Sequence, residues 1–115
     1  MKTPSIKYLR NKADTLFQKK IVSENPYCLI CGKPTACGHH FIPKSLSARL
    51  RYDENNMIPI CMGCHLKIHR SGDPSVVRTI LQKNGEEWAN DLQKRRREPV
   101  RINKGYLKGI IEGLK

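Results

Sequence analysis

The sequence predicts a small α+β domain stapled by metal, and three observations lead there. Helical periodicity runs along both ends of the chain but disappears between Tyr27 and Gly72, where Gly and Pro become frequent. All five cysteines and all four histidines fall inside that middle segment. Four of the cysteines form two C-x2-C pairs, a spacing that presents thiolates to one ion. With 115 residues and only 38% hydrophobic side chains, one modest core is expected, and a metal compensates for its small size. The chain is therefore read as one domain over 1–115: an N-terminal helix (1–25), a braced core (26–72) and a helical C-terminal extension (73–115).

Thr3-Pro4 looks like an N-cap followed by proline at the first helical position, and Ile6, Leu9, Ala13, Leu16, Phe17 and Ile21 recur at helical spacing. This predicts a first helix of about five turns, stopping before Pro26 because a residue preceding proline is pushed out of the α region. Asp73-Pro74 repeats the cap-plus-proline start, with Val76, Val77, Ile80 and Leu81 on one face and Asn84-Gly85 as the stop. Trp88 and Leu92 predict another helix, ended by Pro99. Asn103 can cap a last one with Tyr106, Leu107, Ile110, Ile111 and Leu114 as its apolar positions. Gly105, Gly109 and Gly113 weigh against that last helix, at roughly 1 kcal/mol each relative to Ala. Two or three C-terminal helices are thus expected.

Cys28-Leu29-Ile30-Cys31 and Cys61-Met62-Gly63-Cys64 are knuckles separated by 29 residues. Two tight turns of this kind hold one tetrahedral, structural Zn²⁺ through Cys28, Cys31, Cys61 and Cys64. Cys37 is read as a small core residue, with replacement of one knuckle member as the alternative. A zinc ribbon leaves His39, His40, His65 and His69 unexplained. On a helix, His65 and His69 at i and i+4 share a face and can grip one divalent ion. On a strand, His39 and His40 point oppositely, so one can bind metal while its neighbour does something else.

Twenty-two Lys plus Arg against ten Asp plus Glu leave a formal charge of +12. The surplus is spread along the whole chain, with six basic residues against one acidic over 1–20, six against three over 21–72 and ten against six over 73–115. A broad face for a polyanion, with DNA first, is the expectation. Apolar runs such as Met57 to Met62 fall far short of the roughly 20 residues of a membrane span, and Met1 to Arg10 has no apolar signal core. No membrane partner and a cytoplasmic chain are expected.

From about Pro26 to Ser71 these residues resemble the HNH endonucleases, also called ββα-metal nucleases. The shared features are a His-containing hairpin, an Asn before the second strand and a helix carrying the final His. His40, Asn56 and His65 fall in the family's order and register, and Asp53-Glu54-Asn55-Asn56-Met57-Ile58-Pro59-Ile60-Cys61 matches its run from a turn through Asn into the second strand. Many members carry Asp just before the first His. Here His39 stands there, as in the colicin-type nucleases, a softer site that favours Mn²⁺, Ni²⁺ or Zn²⁺ more than an all-oxygen site does while leaving Mg²⁺ usable. A narrower resemblance, carried by Arg49 to Asn56, the second knuckle, Ser71-Gly72 and the Gly85-Glu86-Glu87 step, is to the NinG (Rap) recombination proteins of lambdoid phages. It implies action on branched DNA in a host cytoplasm.

The resemblance implies a ββα-metal core and metal-dependent hydrolysis of DNA to 5′-phosphate and 3′-hydroxyl ends. His40 is then the general base. His39 and His65 are ligands of the catalytic divalent ion, and His69 is a third candidate whose alternative is a solvated or phosphate-contacting histidine. Asn56, which does not titrate in range, would orient His40 or fix the hairpin loop. Lys44, Arg49, Arg51, Lys67 and Arg70 surround the motif as candidate phosphate contacts. A double-strand cut would need two copies, as a homodimer or by sequential action. The competing reading is a non-catalytic zinc module that binds DNA or protein, and an RNA substrate also stays open.

Overall fold

Ser5, not Thr3, caps the first helix. Its backbone is extended and its side chain accepts the Tyr8 N–H at 3.1 Å, so α1 covers Ile6–Glu24. The start therefore falls two residues later than the Thr3-Pro4 pattern predicts, at the hydroxyl that meets an orphan amide. The computed structural model describes residues 3–115. After α1 come β1 (Cys37–His40), a short 3-10 turn (Glu54–Asn56), β2 (Met57–Ile60), α2 (Met62–Ser71), α3 (Pro74–Asn84), α4 (Glu86–Arg95) and α5 (Lys104–Leu114). The architecture is α+β as the sequence predicts, with the three helices α3 to α5 following the ββα core.

β1 and β2 form a two-stranded antiparallel sheet in the register Cys37↔Ile60, Gly38↔Pro59, His39↔Ile58 and His40↔Met57. α2 starts one residue after the second strand's knuckle begins, and its N-cap is Cys61, whose Sγ accepts the Cys64 N–H at 3.4 Å. It stops at Gly72 in the left-handed conformation (φ 56°), which glycine adopts without steric penalty. The predicted caps Asp73 and Asn103 both act as such, each accepting a backbone N–H at 2.9 Å from Ser75 and Tyr106 respectively.

Packing explains why α5 forms despite its three glycines. Leu107 and Ile111 are buried against Leu9 and Ala13 of α1, and burying a Leu or Ile side chain contributes roughly 1.5–3 kcal/mol, which offsets the propensity loss. Phe17 and Ile21, lower on α1, pack with Met57 of β2. Ile6, assigned to the same apolar stripe, is 39% exposed at the open end of the helix. On the opposite side Val76 and Ile80 of α3 cover Ile58, Ile60 and the knuckle cysteines, while Leu92 of α4 fills the space under the hairpin loop beside Ile42 and Leu50. Among the described residues no helix is long and apolar enough to cross a membrane.

Gly38 sets the spacing between α1 and the sheet. A Cβ there would lie 2.7 Å from Met57 Cε and 2.9 Å from Ile21 Cγ2, so the helix approaches the strand to a distance that only glycine permits.

Candidate metal and catalytic site

The two knuckles meet at the start of α2. The sulfurs of Cys28, Cys31, Cys61 and Cys64 all lie within 4.8 Å of one another, with Cys31 and Cys61 3.5 Å apart. A tetrahedral zinc with bonds of about 2.3 Å holds its sulfurs about 3.8 Å apart, so the donor set and its dimensions fit that ion. The electrostatics agree. Burial pushes the Cys28 thiol up, yet backbone N–H donors around it outweigh this and bring it down to about 6. Burial and the neighbouring sulfurs drive Cys64 up to about 12. Four thiolates cannot gather here unaided, and a dication at their centre is what would let all four ionise. Cys37 stands outside the quartet, half-buried, in line with its reading as a packing residue.

A second cluster shares helix α2 with the first. His39 on β1 and His65 and His69 on α2 bring ring nitrogens within 4.8 Å of one another, with 2.8 Å between His65 Nε2 and His69 Nε2. The helical spacing of four residues therefore puts both rings on one face. Burial, then the neighbouring His65, His69 and His40, hold the His39 ring down to about 4, in the neutral form that ligates a metal. Three imidazoles and an open side fit a hydrated divalent ion. His65 Nδ1 is 3.6 Å from Cys37 Sγ, a contact that turns its Nε2 toward the cluster. Nothing in the local sequence around Cys37 announces that partnership, which spans 28 positions.

His40 points elsewhere, as strand alternation requires. Its Nε2 lies 2.9 Å from the Arg51 carbonyl oxygen. A carbonyl only accepts, so Nε2 carries the proton and Nδ1 is left with its lone pair. Burial lowers the ring's affinity for a second proton, and Lys44 and Arg51 add to this. The two histidine groups share one open cavity of about 380 Å³, lined also by Gln18, Gly38, Pro43 and Lys44.

Asn56 is fully buried. Its side chain accepts the Ile42 N–H at 2.8 Å and donates to the carbonyls of Ile42 (2.9 Å) and Leu50 (3.3 Å). Of the two roles the sequence left open, it performs the second and ties the ends of the hairpin loop. It makes no bond to His40 itself.

The basic residues divide. Lys44 lines the cavity, and Lys67 and Arg70 lie exposed on α2. Arg51 and Arg49, expected at phosphates, are engaged within the fold. Arg51 donates to Asp14 on α1 through Nε (3.1 Å) and Nη2 (2.6 Å). Arg49 donates to Glu98 at 2.8 Å and faces Asp53 at 3.4 Å. Carboxylates that arrive from 37 and 49 positions away pair with the two guanidinium groups.

Comparison with known proteins agrees with the motif. Residues 27–71 match the HNH endonuclease family. A stretch of 48 residues is 44% identical to the mitochondrial DNA mismatch repair protein mutS homolog of Sarcophyton glaucum; the match covers 38% of this chain and 5% of that protein. No solved structure matches the chain.

Proposed function

We propose that the chain is a metal-dependent DNA endonuclease of HNH type, with residues 1–115 acting as one unit. The observation that carries this reading is the shared cavity. Three ligand-type imidazoles stand on one side of it, and on the other stands a histidine whose hydrogen bond fixes which nitrogen can take a proton. A divalent ion held by His39, His65 and His69 would supply a Lewis acid for the phosphate oxygens. The tetrathiolate quartet would hold zinc and keep the hairpin and α2 in register.

The chain's own residues do the rest. His40 Nδ1 accepts a proton from a water as its oxygen forms the new bond to phosphorus. The bond to the 3′ oxygen breaks, and that oxygen takes a proton from solvent, leaving 5′-phosphate and 3′-hydroxyl ends. The Arg51 carbonyl holds the imidazole in the required tautomer. Asn56 fixes the loop that carries this carbonyl, and the bidentate Asp14–Arg51 pair ties the same loop to α1. Lys44 places positive charge at the cavity wall, where the phosphate enters. The +12 surplus favours DNA as the polyanion.

The test is nicking of supercoiled plasmid by zinc-loaded protein in Mg²⁺, Mn²⁺ or Ni²⁺, with His40→Ala alongside. Wild type should relax the plasmid and the variant should not. Tight DNA binding by pure wild type with no nick in any of the three ions would transfer the assignment to the non-catalytic binding module. Linear duplex, flap and four-way junction substrates run side by side address the likeness to recombination proteins, and equal rates on all three would remove it.

A further inference from the structure

Among the described residues β1 belongs to a sheet of two strands, so one of its edges has no strand partner there. Opposite Gly38 on β2 is Pro59, and this is a pair of the antiparallel ladder that exchanges no backbone bonds, so the polar groups of both residues face outward. Both polar groups of Gly38 turn to the other edge, where one side chain meets them. The Gly38 N–H donates to Gln18 Oε1 at 2.8 Å, and Gln18 Nε2 donates to the Gly38 carbonyl at 3.0 Å. A primary amide offers the same acceptor and donor pair as a peptide unit, so Gln18 stands in for one residue of a third strand. The contact is possible because Gly38 brings α1 so close to the sheet. The residue clamped in this way directly precedes His39 and His40, and Gln18 itself borders the cavity.

We infer that Gln18 is a positioning residue of the candidate site: its amide fixes the backbone from which the ligand His39 and the base His40 project. α1, which lies outside the stretch that matches the HNH family, is then part of the site's framework. A displacement of about 1 Å in such a framework is enough to lower a rate by orders of magnitude. The activity arm of the test rests on the nuclease reading above, and the ion-binding arm does not.

The experiment uses the full zinc-loaded chain with Gln18→Met, which keeps length and apolar volume but removes both bonds, and with Gln18→Ala. Leu16→Ala serves as the control, because it loosens α1 where it packs with Leu9, Ala13 and α5, away from Gly38. Three quantities are read: hydrogen exchange at the Gly38 amide, Mn²⁺ affinity by calorimetry, and kcat and KM for plasmid nicking. Both Gln18 variants should exchange faster at Gly38, bind Mn²⁺ about tenfold more weakly and lose kcat with KM for DNA unchanged, while zinc stays at wild-type stoichiometry. Leu16→Ala should lower Tm and leave the other readings near wild type. Mn²⁺ affinity within twofold of wild type in both Gln18 variants overturns the inference, and so does an equal loss in Leu16→Ala. If wild type binds Mn²⁺ but cuts no DNA, hydrolysis is lost as the function, and the affinity comparison still decides the role of Gln18.

Discussion

The cysteine quartet and the histidine triad share helix α2 and differ in closure. Three of the four sulfurs belong to buried residues in the main core, whereas the histidines line an open cavity and His69 is exposed. Helix α2 serves both, since Cys64 and His65 are consecutive and point to different sides of it. A closed, all-protein donor set suits a structural ion, and an incomplete set facing solvent suits an ion that must also accept a substrate oxygen. The contrast teaches that one short ββα unit can hold a closed and an open donor set a single step apart in sequence.

The most damaging way to probe this contrast is to strip the closed site. Removal of zinc with a strong chelator, or Cys61→Ser, should abolish cooperative thermal unfolding and collapse near-ultraviolet circular dichroism, because a structural zinc contributes on the order of 10 kcal/mol to small domains. Removing the divalent ion from the histidine side should leave the melting curve in place. If both treatments unfold the protein equally, the division of labour is wrong.

Next in size is His40→Ala, expected to lower the nicking rate by about 10²–10⁴-fold, the usual contribution of a general base, with Mn²⁺ affinity and Tm close to wild type. Single-turnover kinetics at saturating DNA give the comparison. Asn56→Ala should act on the other quantity: it strips partners from three buried backbone groups and should cost about 2–4 kcal/mol in urea unfolding, with activity falling only as the loop loosens.

A smaller effect is tied to pH. Burial raises the Asp14 carboxyl, but the two bonds from the Arg51 guanidinium and its positive charge hold the group below its usual value. A depressed folded value means that the stabilisation is fully present above the unfolded carboxylate range and is lost as pH falls through the folded one. The stability difference between wild type and Asp14→Asn should therefore be constant from neutral pH to about 5 and shrink below about 4. Paired urea titrations cancel the zinc loss common to both proteins. The smallest effect expected is that of Lys44→Ala, a rise of a few-fold in KM for DNA that fades with added salt.

Much of the fold was readable because its signals are local. The caps at Asp73 and Asn103 need only the next few residues, the stripe Leu9, Ala13, Phe17, Ile21 needs only the helical period, and knuckles and histidines announce themselves by spacing. The ion pairs of Arg49 and Arg51 were not legible, because an arginine's charge says nothing of which carboxylate will reach it, and Glu98 and Asp14 come from far along the chain. Asn56 was narrowed to two roles, and burial among three backbone groups decided between them.

By itself the sequence determined which groups are available and how they pair within a turn or two: four thiols in two knuckles, histidines at i and i+4, capped helices at both ends. Only the tertiary structure decided that His65 Nδ1 meets Cys37, that His40 bonds the Arg51 carbonyl, and that Gln18 clamps Gly38. The reason is that short-range preferences follow from backbone sterics and helical pitch, whereas these meetings depend on how α1, the hairpin and α2 bury their apolar faces together.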